Sequence, residues 1–383
     1  MKHRLCIAQI VPKLDAGGAE RSAIEIAQAV QEAGHHALII AGQGGWSAQA
    51  RQSGAELIEL DLSGRNPLLL RHVLTLRRIF TGEKVDLIHS RSRLPSWLVW
   101  AARRLMKRPP RWVSTVHGMH SISSYSAIQH AAEAVIAVSQ CTRDYIQQNY
   151  PNAPRAIQII PRGIELIRYQ TPMNTQAWRT EFAREFPQLA GKRLLLLPGR
   201  GTRLKGHIHG IALLAALQSE TSLALFCPGA SQSHRSAYID ELERLARSLG
   251  VQDRVVFTPS RSDLIALFQE AALVLQLSDR PESFGRTVAE ALACGTPVLG
   301  FDHGGVGEQL RQFYPTGAVA LQDSDGLVLS ARKLLAEPKM SAPAGLFELA
   351  QMQRETLAVY SGLLGQALAP NTKPNSDAVK TRQ

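Results

Sequence analysis

The sequence predicts an α/β protein of two domains, each a parallel sheet with helices on both faces. Short apolar runs alternate with amphipathic helical stretches along most of the chain. Its 383 residues exceed one ordinary core and suggest roughly two domains. Several apolar runs also open into glycine-bearing loops, as strand ends do in open α/β sheets. Strict alternation requires right-handed crossovers, and so a parallel sheet.

In the first half, Arg4 to Val11 reads as a strand and Ala19 to Ala33 as a helix, with Gly17 and Gly18 between them. Paired glycines let a backbone approach a ligand closely, although a plain turn has the same composition. Further strands are expected at 36–41, 56–60, 85–89, 112–116 and 134–138. The loop His89-Ser90-Arg91-Ser92-Arg93 sets two arginines among hydroxyls, which suits an anionic acceptor group or a solvated loop. From Trp97 to Trp112, five basic residues and three tryptophans fall within sixteen positions, the composition of a helix lying on an anionic bilayer or of a surface helix with one wet face. His117 ends the next strand, where a histidine is structural or poised for chemistry. After the run 157–160, the polar stretch from Tyr169 to Lys192 reads as a linker and the leading helix of a second domain.

The second half restarts the alternation at Leu194. Arg200 and Lys205 stand on a Gly-rich loop feeding a helix, where they are placed to clamp a diphosphate and stabilise its charge as it leaves. Strands at 223–227 and 255–258 and helices at 236–249 and 263–272 lead to the stretch Ser278 to Glu308. That stretch reads as strand, loop, helix from Phe284 to Cys294, a left-handed cap at Gly295, and a strand from Thr296 to Phe301. Glu282 lies in the loop before the helix and Glu290 at most two turns into it. N–H groups at the helix start suit phosphates, and two acceptor-only carboxylates suit vicinal hydroxyls. Asp302 to Glu308 completes this candidate site, its glycines admitting a ligand. Asp323-Ser324-Asp325 has the D-x-D form of a metal triplet, but its place beside a glycine reads as a turn, so no metal is expected.

The charge is uneven. Residues 1–170 hold 21 Lys+Arg against 12 Asp+Glu, a net of +9, while 171–383 hold 22 against 20, a net of +2. A basic half attracts polyanions, and since no nucleic-acid motif accompanies it, anionic membrane or phosphorylated glycolipid is the expected partner. The cysteines Cys6, Cys141, Cys227 and Cys294 are widely spaced and read as small hydrophobes rather than disulfides or zinc ligands. With no membrane-spanning run and no signal-peptide pattern, a cytoplasmic location is expected, peripheral on the inner face of the plasma membrane.

These motifs resemble the GT-B retaining glycosyltransferases of family 4. The stretch 282–308 carries the family's E-x7-E pattern, and "GGAER" at 17–21, "T-x-H-G" at 115–118, "IPRGI" at 160–164 and "GR…..KG" at 199–206 have their counterparts. The segment 89–97 is similar to one in bacterial transferases of lipopolysaccharide core assembly. The resemblance covers about residues 3 to 366. It implies two Rossmann-like domains facing a central cleft: an acceptor domain over 1–168, a nucleotide-sugar domain over 169–344, a helix over 345–367 crossing back, and a disordered tail over 368–383.

The resemblance further implies His117, Arg200, Lys205 and Glu282 as catalytic residues. Donor contacts would come from Gly17, Gly18, Arg200, Lys205, Glu282, Ser283, Phe284, Gly285 and Glu290, with Glu282 on the sugar and Glu290 on the ribose. Arg91 and Arg93 would bind the acceptor. The implied activity moves a hexose from a nucleotide-sugar to a glycolipid, with retention and without a cofactor. A soluble or exopolysaccharide acceptor, a GT-B-like epimerase or phosphorylase, and a non-catalytic nucleotide-sugar-binding scaffold are the alternatives.

Overall fold

The structure, a computed structural model, describes residues 4–15, 17–64, 69–154, 156–231 and 236–368. It forms two compact units. The first takes the chain up to Val138, Arg143–Pro161 and the chain from Ala350 on; the second takes Ser139–Thr142 and Arg162–Leu349.

The first unit holds a seven-stranded parallel sheet of β1 (Cys6–Lys13), β2 (His36–Gly42), β3 (Glu56–Glu59), β4 (Leu87–Ser90), β5 (Arg111–Val116), β6 (Ala134–Ala137) and β7 (Ile157–Ile159), ordered β3-β2-β1-β4-β5-β6-β7. Its core packs Ile10, Leu38, Ile40, Ile88 and Trp112, all fully buried. Helices cover both faces, which is why the inner strands β1 and β2 are buried almost throughout, while the edge strands β3 and β7 keep exposed polar residues. The chain order reverses between β1 and β4, the crevice where open α/β sheets place ligands.

The second unit holds β8 (Arg193–Leu196), β9 (Leu223–Pro228), β10 (Val255–Thr258), β11 (Leu273–Gln276), β12 (Val298–Phe301) and β13 (Ala318–Val319), ordered β10-β9-β8-β11-β12-β13 and parallel throughout. Leu195, Leu225, Leu275 and Leu299 fill its core. Its reversal lies between β8 and β11, so the loops after those strands, 197–206 and 277–285, are the ones brought together.

Several expectations are corrected. The chain leaves the first unit at Pro161, not 168, and rejoins it at Ala350, not 345. Backbone bonding sets these limits: Ile164 N–H donates to Phe347 O at 2.8 Å and Leu349 N–H to Ile164 O at 2.9 Å, holding both segments in the second unit. Helix Leu349–Leu364 thereafter packs in the first unit, burying Met352, Thr356, Leu357 and Tyr360. Helix Arg93–Arg104 begins inside the expected loop. Asp323 caps helix Ser324–Ala336, its carboxylate accepting from Gly326 N–H at 2.8 Å, so it is a helix start rather than a turn. β13 is too short to stand out as an apolar run. The expected tail lies, from residue 369 on, outside the described residues. Among the described residues, no helix is long and apolar enough to cross a membrane.

Candidate functional site

In the second unit the loop after β8 turns through Gly206, whose φ of +68° suits glycine and where a Cβ would collide with the Leu277 carbonyl. Helix His207–Ala216 starts there with no side-chain cap and no acidic residue in its first turn. The loop after β11 ends likewise at Gly285, φ +79°, which opens helix Arg286–Ala293 with no side-chain cap and no early acid. Two uncapped helix starts thus flank the sheet's switch point, each with N–H donors and a positive dipole end.

Between them lies Glu282. Lys205 Nζ donates to its Oε1 at 2.7 Å and Gln276 Nε2 at 2.6 Å, and Ser278 Oγ donates to the same oxygen. Oε2 makes no hydrogen bond among the described residues. Burial acts to raise the carboxyl's pKa, but the Lys205 charge and the three hydrogen bonds outweigh it and hold it below the ordinary glutamate range. An ionised carboxylate with one oxygen anchored and the other open is suited to accept from a ligand hydroxyl. The Lys205 chain runs across Gly199, whose Cβ would lie 3.4 Å from its methylenes, so the loop aims the ammonium at Glu282. Arg200 is exposed and makes no side-chain hydrogen bond or ion pair among the described residues.

Glu290 stands in different company: Tyr169 Oη donates to its Oε1 at 2.8 Å and Arg286 Nε at 2.9 Å. Phe284 is 4% exposed and packs on Phe347 with ring centroids 5.1 Å apart, so its ring belongs to the core. Phe284 therefore has only its backbone to present at the helix start. The glycines after β12 were expected to admit a ligand. Instead Gly305 N–H donates to Glu282 O at 2.7 Å, and a Cβ on Gly305 would lie 2.6 Å from Ser283 O, so they seat the Glu282 loop.

In the first unit, Gly17 stands at the N-cap of helix Gly18–Glu32, and the end of the Glu20 side chain lies over it. The first turn of this helix therefore carries an acid beside Gly17 and Gly18. Arg91 is 4% exposed, so the alternative of a solvated loop does not hold for it. Its Nη2 and Nε donate to Gln9 Oε1 at 2.8 and 3.2 Å, its Nη2 lies 3.3 Å from His89 Nδ1, and its Nη1 lies 3.4 Å from His117 Nε2. Burial lowers its pKa to about 10, opposed by the charges of Tyr360, Glu25 and Glu20. Among the described residues no carboxylate pairs with it. Arg93 opens its helix, with its guanidinium 5.3 Å over the Tyr125 ring and Nη1 3.3 Å from Ser126 Oγ.

Arg91 is held by a network the sequence did not reveal. Gln9 Nε2 donates to Tyr360 Oη at 3.0 Å, Tyr360 Oη lies 2.5 Å from His89 Nδ1, and His89 Nε2 lies 2.6 Å from Thr115 Oγ1. A guanidinium only donates, so His89 Nδ1 accepts and Nε2–H donates to Thr115. Burial, then the Arg91 charge, keeps His89 neutral by pushing its pKa well below the ordinary histidine value. Gln276 carried a detectable signal, a polar residue in an apolar strand beside the expected loop. Tyr360 carried none, since it sits 351 residues from Gln9 within an ordinary helical pattern.

Comparison with known proteins agrees with this architecture. Residues 16–168 match the model of Glycosyltransferase Family 4, and residues 179–345 that of Glycosyl transferases group 1. A D-inositol 3-phosphate glycosyltransferase of Xylanimonas cellulosilytica is 28% identical over 274 residues, 66% of this chain and 61% of that relative. The chain spans about three-fifths of the length of the curated relatives it matches. Among solved structures, Anabaena Alr3699/HepE in complex with UDP and glucose has a TM-score of 0.79 at 20% identity, covering 94% of this chain and 100% of that one. WaaG, a glycosyltransferase involved in lipopolysaccharide biosynthesis, has a TM-score of 0.66 at 20% identity, covering 93% and 96%. The shared fold is GT-B, two Rossmann-like domains.

Proposed function

Because the chain belongs to the glycosyltransferases, carrying a Family 4 domain followed by a group 1 domain, we propose that it moves a hexose from a nucleotide-sugar to an anionic glycolipid, with retention of configuration. The observation that carries this reading is Glu282, with three donors on Oε1 and Oε2 open beside two uncapped helix starts. Lys205 has three N–H donors and spends one on Glu282, so two remain for the donor's diphosphate, which Arg200 joins. Glu282 Oε2 accepts from the hexose hydroxyls, and Glu290 from the ribose. The bond from the anomeric carbon to the phosphate oxygen breaks as the acceptor oxygen attacks the same face. The leaving phosphate oxygen takes the acceptor's proton, and Lys205 and Arg200 stabilise its charge.

On the first unit, His117 is assigned to the transferred sugar and Arg91 and Arg93 to the acceptor's anionic group. A buried guanidinium with only neutral partners supports an anionic acceptor. Lipopolysaccharide core is the acceptor we favour, with peripheral contact to an anionic membrane supported by the net +9 of residues 1–170. A soluble polyol phosphate is the second reading, motivated by the inositol 3-phosphate relative. Turnover assays with UDP-glucose, GDP-mannose and UDP-N-acetylglucosamine, each against truncated lipopolysaccharide and inositol phosphate, separate the two. Glycosylated lipid supports the first reading and glycosylated inositol phosphate the second. Donor binding without turnover on any acceptor would leave a scaffold.

A further inference from the structure

A cavity of about 550 Å³ opens on the first unit against helix Arg93–Arg104, and neither Arg91 nor Gln9 lines it. Trp97 and Trp100, one turn apart, form one wall with ring centroids 5.4 Å apart and edge to face. Trp97 Nε1 donates to Tyr125 O at 3.0 Å, so its polar atom is spent and hydrocarbon faces the cavity. His130 and Tyr150 also line it, centroids 4.3 Å apart and ring planes tilted by 44°, as do Ile122 and the exposed Ala131. Burial and then the nearby His120 lower the His130 pKa to about 4, so this ring carries no charge at neutral pH. Of the lining residues Ile122 is 61% exposed, and Tyr125, whose carbonyl accepts from Trp97, is 43% exposed.

The charge around the cavity points one way. From Leu87 to Ala132 the chain has seven Lys and Arg and no Asp or Glu. Glu133, just beyond, is engaged by Arg103 at 2.5 Å and Arg111 at 2.6 Å. Arg104, Lys107 and Arg108 are exposed and form no ion pair among the described residues, and the Arg104 guanidinium lies 4.5 Å over the Trp100 ring that lines the cavity. A mostly apolar slot beside a stretch whose charges are all cationic complements an amphiphile with a hydrocarbon tail and an anionic head.

The geometry points to an acyl-chain site: the cavity takes one fatty-acyl chain of an anionic membrane phospholipid, whose headgroup rests on Arg104, Lys107 and Arg108. This rests on the peripheral-membrane reading above and adds to it. Charge alone would hold the protein at the headgroups. An inserted chain also removes apolar surface from water and draws the tryptophans below the headgroup plane.

Vesicles of phosphatidylglycerol with brominated acyl chains test this, because bromine quenches tryptophan only at short range. The wild type is expected to bind these vesicles and lose emission, and a Trp97→Phe, Trp100→Phe variant to bind with little quenching. Ala131 is exposed and lines the cavity, so Ala131→Gln fills the cavity with a neutral polar group and leaves the core intact. It is expected to weaken binding about tenfold, the loss of roughly two buried methylenes, and to abolish most of the quenching. Binding by the wild type without quenching, or quenching that survives in the double Phe variant or in Ala131→Gln, overturns the acyl-chain site and leaves the membrane reading standing. Absence of binding to the anionic vesicles, measured by sedimentation, overturns both.

Discussion

Lys205 Nζ lies 2.7 Å from Glu282 Oε1, pairing a residue of the loop after β8 with one of the loop after β11 across the switch point of the second sheet. Both side chains are mostly buried, so removing one partner leaves the other's charge poorly solvated. The first prediction follows. Lys205→Ala and Arg200→Ala should each reduce turnover by roughly 10²–10³, the scale for losing one preorganised charge-stabilising group. Arg200→Ala should leave the melting temperature unchanged, since Arg200 is exposed and unpaired, whereas Lys205→Ala should lower it. Near-wild-type turnover in both variants would remove the clamp.

The two glutamates should fail differently. Glu282→Gln keeps the shape but loses the charge that three donors converge on, and should depress kcat strongly while leaving nucleoside diphosphate affinity nearly unchanged. Glu290→Gln should weaken the free nucleotide as well. Calorimetry with the nucleoside diphosphate decides the matter, and the opposite pattern would exchange the roles.

Tyr360→Phe removes the hydroxyl that accepts from Gln9 and reaches His89 Nδ1. Leaving these buried groups short of a partner should cost about 1–3 kcal/mol by denaturant titration. Because Gln9 and His89 also hold Arg91, the variant should lower acceptor affinity more than donor affinity. Equal losses for both substrates would reduce Tyr360 to a packing residue.

Acid should destabilise the protein through its buried histidines. The pKa of His130 and that of His207 are each lowered from 6.5 to about 4, in both cases first by burial and then by a neighbouring group, His120 and Lys205 respectively. A folded-state pKa below the unfolded one means that the unfolded chain takes up the proton first. Stability is therefore full above pH 6.5 and falls toward pH 4, each histidine contributing about 1.4 kcal/mol per pH unit. Melting temperatures between pH 7 and pH 5 should fall accordingly, and His130→Phe should make the slope shallower. A flat profile would show that neither ring is held neutral.

Much of the layout was legible because strands buried on both faces are apolar throughout and the loops between them carry glycine. This located β8, β11 and the loops of Lys205 and Glu282 to within a residue or two. Contacts between segments distant in sequence were not legible. Nothing in the spacing of Tyr360 announces His89, and the burial of Arg91 depends on Gln9, which looks like any polar residue in a strand. Gly17 shows a related limit: nothing in the spacing announces that the end of the Glu20 side chain lies over it. The domain limits shifted for a backbone reason, the pairing of Ile164 with Phe347 and Leu349, which leaves no side-chain pattern.

The central claim is that the second unit binds a nucleoside diphosphate through the loop at 199–206. Thermal unfolding of the full chain with UDP, GDP and ADP in turn tests it most directly. One nucleotide should raise the melting temperature, by the equivalent of about 2.7 kcal/mol at a hundredfold excess over its Kd, and the rise should vanish in Lys205→Ala. No rise with any of the three, or an equal rise in Lys205→Ala, would contradict the account.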